Sequence, residues 1–228
     1  MAKLILKISG EALKDDKSSV SEEKLYKVLQ IVNLLKEKHQ IGIVVGGGNF
    51  FRGRDHTNMD KVTADTIGML GTITNSLYLK DYFMRNNINA CVSTPFDFNN
   101  LIKNYTNEEL LTMSKENIII FGGGVGKSGY STDSGAYMAA EILESELIIK
   151  LTNVDGVYDS DPKINPDAIK YDKLTYDEVL ENNLKVMDSY TIEKCKEKNI
   201  KILVLNFNDY KYLEDFFQGK EIGTLIGG

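Results

Sequence analysis

The sequence predicts an α/β fold: a largely parallel β-sheet covered by helices on both faces. Three observations carry that prediction. Strand-length apolar runs recur as near-continuous rather than alternating stretches, the pattern of strands buried on both sides. Segments with helical spacing separate them, as parallel crossovers require. Four of the runs, KLILKISGEAL, IGIVVGGGNFFRG, IIIFGGGVGKSGYSTDSGA and ELIIKLTNVDGVYDSDP, end in glycine-rich or Asp-Gly turns.

In chain order, strands are predicted near 3–8, 41–46, 88–93, 117–122, 146–151 and 200–205, with a late edge strand at 224–226. Helical patterns fall near 21–38, 60–85, 132–143, 175–183, 187–199 and 209–217. The first is the plainest, with Leu25, Val28, Leu29, Val32 and Leu35 at helical spacing. Acids occupy its first turn, and Lys36, Lys38 and His39 its last, complementing the helix dipole. Open parallel sheets bind ligands at the carboxyl ends of their strands, and all four turns fall there.

Composition narrows the class of function. A chain of 228 residues with 42% apolar content can bury one sizeable core, and no linker or low-complexity tract divides it, so a single domain is expected. The 3 prolines, Pro95, Pro162 and Pro166, all lie in predicted loops. A net charge of −6 argues against a general nucleic-acid binder. The N-terminus MAKLILKISG has no signal-peptide pattern and no run is long enough to span a membrane, so a cytosolic protein without membrane partners is expected. Cys91 in a predicted strand and Cys195 in a predicted helix have no metal-ligand spacing and read as buried packing residues.

A strand that stops in glycines and opens into a helix offers unpaired N–H groups at the positive end of the helix dipole. Phosphate is the natural occupant, and several such turns along one sheet suit two phosphorylated groups held together for phosphoryl transfer. In the first turn, Lys7, Ser9, Gly10 and Glu11 place an ammonium beside a closely approachable backbone. In the second, Gly46, Gly47, Gly48 and Asn49 lead to Arg52 and Gly53. Three consecutive glycines are entropically costly, which favours a backbone that meets a ligand, and Arg52 supplies a bidentate fork.

The third turn imitates two other phosphate motifs. Gly126 to Ser128 reads GKS, but a P-loop needs glycine where this chain has Phe121. Gly124, Gly126 and Gly129 spell GxGxxG, yet the helix starts later, near Thr132, and no acid stands at the ribose position of a dinucleotide fold. What remains is a loop leading to Ser131, Thr132, Asp133 and Ser134, one of which caps the helix. Capping alone would also account for an acid at Asp133 or near a helix start at Asp65.

Together these motifs resemble the amino acid kinase superfamily over nearly the whole chain. KISGEAL, GGGN, STDSGA and TNVDGVYDSDP (152–162) are superfamily features, which acetylglutamate, aspartate, glutamate 5- and carbamate kinases would share. GGGNFFRG, ADTIGML with Asp65, and LKVMD (184–188) are similar to the bacterial UMP kinases within it.

That resemblance implies a three-layer αβα sandwich with a mainly parallel sheet of roughly eight strands, assembled as a homohexamer. It implies transfer from ATP, with Mg2+, to UMP, giving UDP in pyrimidine nucleotide biosynthesis. By the same carry-over UMP would meet Gly47, Asp65 and the loop Val125, Gly126, Lys127, Ser128, Gly129, Tyr130, Ser131 and Thr132. ATP would meet Lys7, Ser9, Gly10, Gly48 and Arg52 at its phosphates, and Thr152, Tyr158 and Asp161 at base and ribose. Lys7, Arg52 and Lys150 would be catalytic cations, with Asp133 organising the lysines. The N-terminal part would mainly hold UMP and the C-terminal part ATP. No metal-ligand set is assigned to the protein.

The chain departs from the family pattern in the UMP loop: Val125, Lys127, Ser128 and Gly129 stand where relatives commonly carry Thr, Asn, Pro and Phe. Two rival readings remain at this point. A superfamily cousin would phosphorylate a carboxylate, carbamate or other small acceptor. A non-catalytic nucleotide sensor would keep the fold without turnover, though it would have no chemical need for Lys7, Arg52, Asp133 and Lys150 together.

Overall fold

The computed structural model describes residues 1–56, 58–99 and 101–227, the side chain of Arg54 excepted. Among the described residues, ten strands and seven α-helices follow one another, with short 3-10 turns between them. The strands are β1 (Ala2–Ile8), β2 (His39–Val45), β3 (Ala90–Ser93), β4 (Ile118–Phe121), β5 (Leu147–Thr152), β6 (Val157–Tyr158), β7 (Lys170–Tyr171), β8 (Lys173–Leu174), β9 (Lys201–Asn206) and β10 (Thr224–Ile226). The helices are α1 (Glu22–Leu35), α2 (Lys61–Arg85), α3 (Asn107–Met113), α4 (Thr132–Leu143), α5 (Tyr176–Glu181), α6 (Ser189–Lys198) and α7 (Leu213–Phe217).

Eight strands form one sheet in the order β3-β4-β2-β1-β5-β9-β10-β8. All neighbours from β3 to β9 are parallel; β10 runs antiparallel to β9, and β8 parallel to β10. The remaining strands, β6 and β7, make a separate antiparallel ribbon. The mainly parallel eight-stranded α/β class predicted from sequence is therefore the observed one.

Side-chain alternation along each strand divides the core into two layers. On one face Leu4, Leu6 and Ile8 of β1 and Leu147, Ile149 and Leu151 of β5 pack with α1, α2 and the 207–213 segment. On the other, Ile5 and Ile148 pack with residues of α3, α4, α5 and α6. Lys7 and Lys150 share the parity of Ile5 and Ile148, so both project toward the α4 side. That parity, set by sequence, is what brings the site together.

The sequence reading needs correction at a few elements. The strand at 224–226 exists but is not an edge: β10 lies between β9 and the two-residue β8. A helix over 209–217 was expected; residues Phe207–Tyr212 form a 3-10 turn and only Leu213–Phe217 is α-helical. The α3 helix and the β6–β7 ribbon were not anticipated. Too short to show hydrophobic periodicity, α3 still carries a T-x-x-E signal: Thr106 and Glu109 form a reciprocal capping box. The prolines stand in turns or bends as expected, Cys91 and Cys195 are buried free thiols, and burial pushes their pKa values up to about 11 and about 12. No helix among the described residues is long and apolar enough to cross a membrane.

Candidate active site

Lys7 and Lys150 are direct register partners on β1 and β5, one and two residues before the carboxyl ends of their strands. Between them sits Asp133, in the first turn of α4. Its Oδ1 lies 2.8 Å from the Lys7 ammonium, an ion pair without hydrogen-bond alignment, and its Oδ2 lies 3.5 Å from the Lys150 ammonium. Lys150 Nζ also donates to the Val186 carbonyl. Ser131 caps α4, its Oγ accepting from the N–H groups of Asp133 and Ser134. Asp188, the cap of α6, accepts from the Ser131 and Ser134 hydroxyls and from the Thr191 N–H, tying the two helix starts together.

Burial and the two cations contend over this trio. Burial alone would raise the Asp133 pKa, but the Lys7 and Lys150 charges outweigh it and hold the carboxyl below its ordinary value. Lys150 goes the other way: burial, then repulsion from Lys7, lowers it to about 8 against the attraction of Asp133. Asp133, held ionised, thus pairs with both ammonium groups. The trio is short of negative charge by one unit, and an incoming phosphate would supply it.

Two cavities open on either side of this trio. The first, of about 550 Å³, is lined by Lys7, Gly10, Gly47, Arg52, Asp65 and Thr132 among others. The second, of about 470 Å³, is lined by Lys150, Thr152, Tyr158, Asp161, Val186 and Val204 among others. Each cavity thus owns one of the two lysines.

In the first cavity the first two glycine turns interlock. A Cβ on Gly10 would stand 2.5 Å from the Gly46 carbonyl oxygen and 2.8 Å from the Gly48 nitrogen, so only glycine permits the approach. Arg52 is held by Glu11, whose Oε1 accepts from Nε at 2.9 Å and lies 2.7 Å from Nη2. Burial of Glu11 favours its neutral form, but hydrogen bonds and charge from Lys14 and Arg52 prevail and keep its pKa low. Asp65, on α2, accepts from the Ser128 hydroxyl at 2.5 Å and from the Gly129 N–H at 2.8 Å, and these bonds lower its pKa. The loop over this cavity makes positive-φ turns at Gly124, Gly126 and Gly129.

In the second cavity the Tyr158 hydroxyl donates to Asp155 at 2.6 Å, and Asp161 accepts from the Lys163 N–H at 2.9 Å, ordering the turn that follows β6.

The model of the amino acid kinase family matches residues 2–206. The chain belongs to the amino acid kinase family. Among curated relatives, uridylate kinase of Fervidobacterium nodosum is 40% identical, over 98% of this chain and 97% of its own length. Uridylate kinase of Thermosipho melanesiensis is 37% identical over the same shares. Among solved structures, UMP kinase of Ureaplasma parvum superposes with a TM-score of 0.93 at 35% identity, covering 100% of this chain and 99% of that one. UMP kinase of Bacillus anthracis gives 0.93 at 33% identity, covering 99% and 95%. The resemblance to this family and its UMP kinase branch, drawn from motifs alone, is borne out.

Within this amino acid kinase fold the sequence-derived candidates fall into place as follows. Lys7, Ser9, Gly10, Gly47, Gly48, Arg52, Asp65, Val125, Lys127, Tyr130, Ser131 and Thr132 line the first cavity. Lys150, Thr152, Tyr158 and Asp161 line the second. Ser128 and Gly129 connect to the first through Asp65, and Asp133 lies at the partition. Gly126 packs under the loop, where a Cβ would stand 2.8 Å from Pro95. Residues carried over for ATP phosphates thus share the first cavity with those carried over for UMP, as they would if the phosphates of both nucleotides meet there. Glu11, Asp188 and Val186 were not singled out as site residues. A carboxylate two residues after Ser9 carried a signal, because an arginine facing a phosphate needs something to aim it; a backbone carbonyl such as Val186 carries none.

Proposed function

We propose that this kinase transfers the γ-phosphoryl group of ATP to UMP, with UMP in the first cavity and the ATP base and ribose in the second. The carrying observation is that Lys7 and Lys150, one in each cavity, share the carboxylate of Asp133. The relatives named as uridylate kinases support the choice of acceptor. A UMP phosphate, with its second pKa of about 6, is already a nucleophile at neutral pH and needs no general base. Catalysis then consists of aligning two anions and offsetting their repulsion, the work of Lys7, Lys150, Arg52 and the glycine-turn N–H groups.

Asp65 would receive ribose hydroxyls in exchange for Ser128 and Gly129. Thr152, Tyr158 and Asp161 would frame adenosine. Mg2+ fits as a companion of ATP, held by phosphate oxygens and water, adding charge neutralisation. Among the described residues no three His, Cys, Asp or Glu side chains gather into a metal cage, so no protein ligand is assigned to it. Exposed apolar residues on one side of α2, Leu70, Leu77, Tyr78 and Met84, support an interface between copies, as the homohexamer implied by the family would need.

The test is ADP release from Mg-ATP with UMP, CMP, AMP and acetylglutamate offered separately. UMP-selective turnover is the expected result. Turnover with acetylglutamate and none with UMP would replace this reading by that of a carboxylate kinase.

A further inference from the structure

The amide of Asn75, in the middle of α2, is fully buried and belongs to no part of the chemistry described above. Its Nδ2 donates to the Gly46 carbonyl and to Asn49 Oδ1, both at 2.7 Å, and its Oδ1 accepts from Asn49 Nδ2 at 2.9 Å. Asn49 Nδ2 also donates to the Ser19 carbonyl at 2.7 Å. The two side chains form a reciprocal amide pair that fastens the second glycine turn to α2 on one side and to residue 19 on the other.

From this juxtaposition we infer that Asn75 is a positioning residue for phosphoryl transfer, fixing which way the second glycine turn presents its peptide groups. The argument follows from peptide geometry. A trans peptide points its C=O and N–H in opposite directions, so anchoring the Gly46 oxygen on Asn75 aims the Gly47 N–H away from α2. The next carbonyl, of Gly47, is likewise engaged by the N–H groups of Phe50 and Phe51. Among the described residues, the N–H groups of Gly47, Gly48 and Asn49 have no acceptor, and Gly47 and Gly48 line the first cavity. Triple glycine is free to flip its peptides, and a flipped Gly46–Gly47 unit would turn a carbonyl oxygen toward the phosphates in place of a donor. Asn75 opposes that flip with a hydrogen bond made in a dry setting.

The inference rests on UMP phosphorylation in the first cavity. The experiment compares Asn75→Asp, which is isosteric but loses the donor to Gly46, with wild type in steady-state kinetics. Uridine, which has no phosphate, serves as a competitive probe of the nucleoside subsite. The expected result is a kcat at least tenfold lower at saturating ATP and UMP, with the uridine inhibition constant within twofold of wild type. A folded N75D with kcat within twofold of wild type would overturn the inference. So would a weakening shared equally by uridine and UMP, which is what general loosening of the site would give. Should N75D not fold, Asn75→Ala, which brings no charge, is measured by the same criteria. Wild type without UMP turnover would overturn the functional reading together with this inference, whereas an active wild type beside a fully active N75D overturns the inference alone.

Discussion

At the scale of single residues, the proposed chemistry rests on three cations and one carboxylate: Lys7, Arg52, Lys150 and Asp133. Lys7 lies beside the Asp133 oxygen that faces β1, and Arg52 is aimed by Glu11, so each has a fixed place from which to meet a phosphate. Lys7→Ala and Arg52→Ala should each lower kcat/KM by at least about tenfold, or about 1.4 kcal/mol of transition-state stabilisation. Wild-type rates in the folded variants would remove them from the mechanism. Lys150 makes a pH prediction. It is charged below its pKa of about 8 and loses that charge as pH rises through it, so kcat/KM, which reports the free enzyme, should fall above that value. Bound phosphates favour the ammonium form, so kcat should hold to higher pH; coincident profiles for the two constants would contradict this. Lys7 and Arg52 stand at a strand end and a glycine turn that the sequence itself marks, whereas Lys150 was named only through the family resemblance. Glu11 was visible in the first turn but unassigned, since its pairing with Arg52 shows only when the two turns are seen to interlock.

Loops and turns, the next scale up, decide what the cavities admit. The loop after β4 spends Ser128 and Gly129 on Asp65, the carboxylate assigned to ribose. Ser128→Ala should therefore tighten UMP by about threefold to tenfold, the worth of one released hydrogen bond, while leaving ATP unchanged. Calorimetry showing weaker UMP binding would mean that Ser128 touches the nucleotide instead. The first turn is more sensitive to bulk: Gly10→Ala would drive a methyl against Gly46, Gly48 and Asn49. A cost of about 1–3 kcal/mol in stability is expected, and kcat should fall more than Tm alone explains because the anion-binding turn moves. A thermal melt and an activity assay on the same preparation check both. Among the long elements, α2 and α4 were legible to within a residue, whereas α1 stops at Leu35, three residues before its expected end, so Lys36 is its cap and Lys38 and His39 lie beyond it. The two-residue strands and α3 were not, since they owe their existence to tertiary packing and a capping box rather than to an apolar pattern.

Across the whole molecule, the parallel sheet acts as a ruler. Adjacent strands β1 and β5 bring Lys7 and Lys150 level, their shared parity points both to the α4 side, and α4 begins where Asp133 can span them. Two cavities, each lined by one of the paired lysines, give the proposed function a kinetic consequence. On that reading both substrates bind together, and the phosphoryl group passes directly between them, with no stop on the protein. The central claim is tested most directly by initial rates with ATP varied at several fixed UMP concentrations. The two-cavity site predicts double-reciprocal lines that intersect, the pattern of a ternary complex. Parallel lines, the pattern of a phosphorylated enzyme formed before UMP binds, would contradict it.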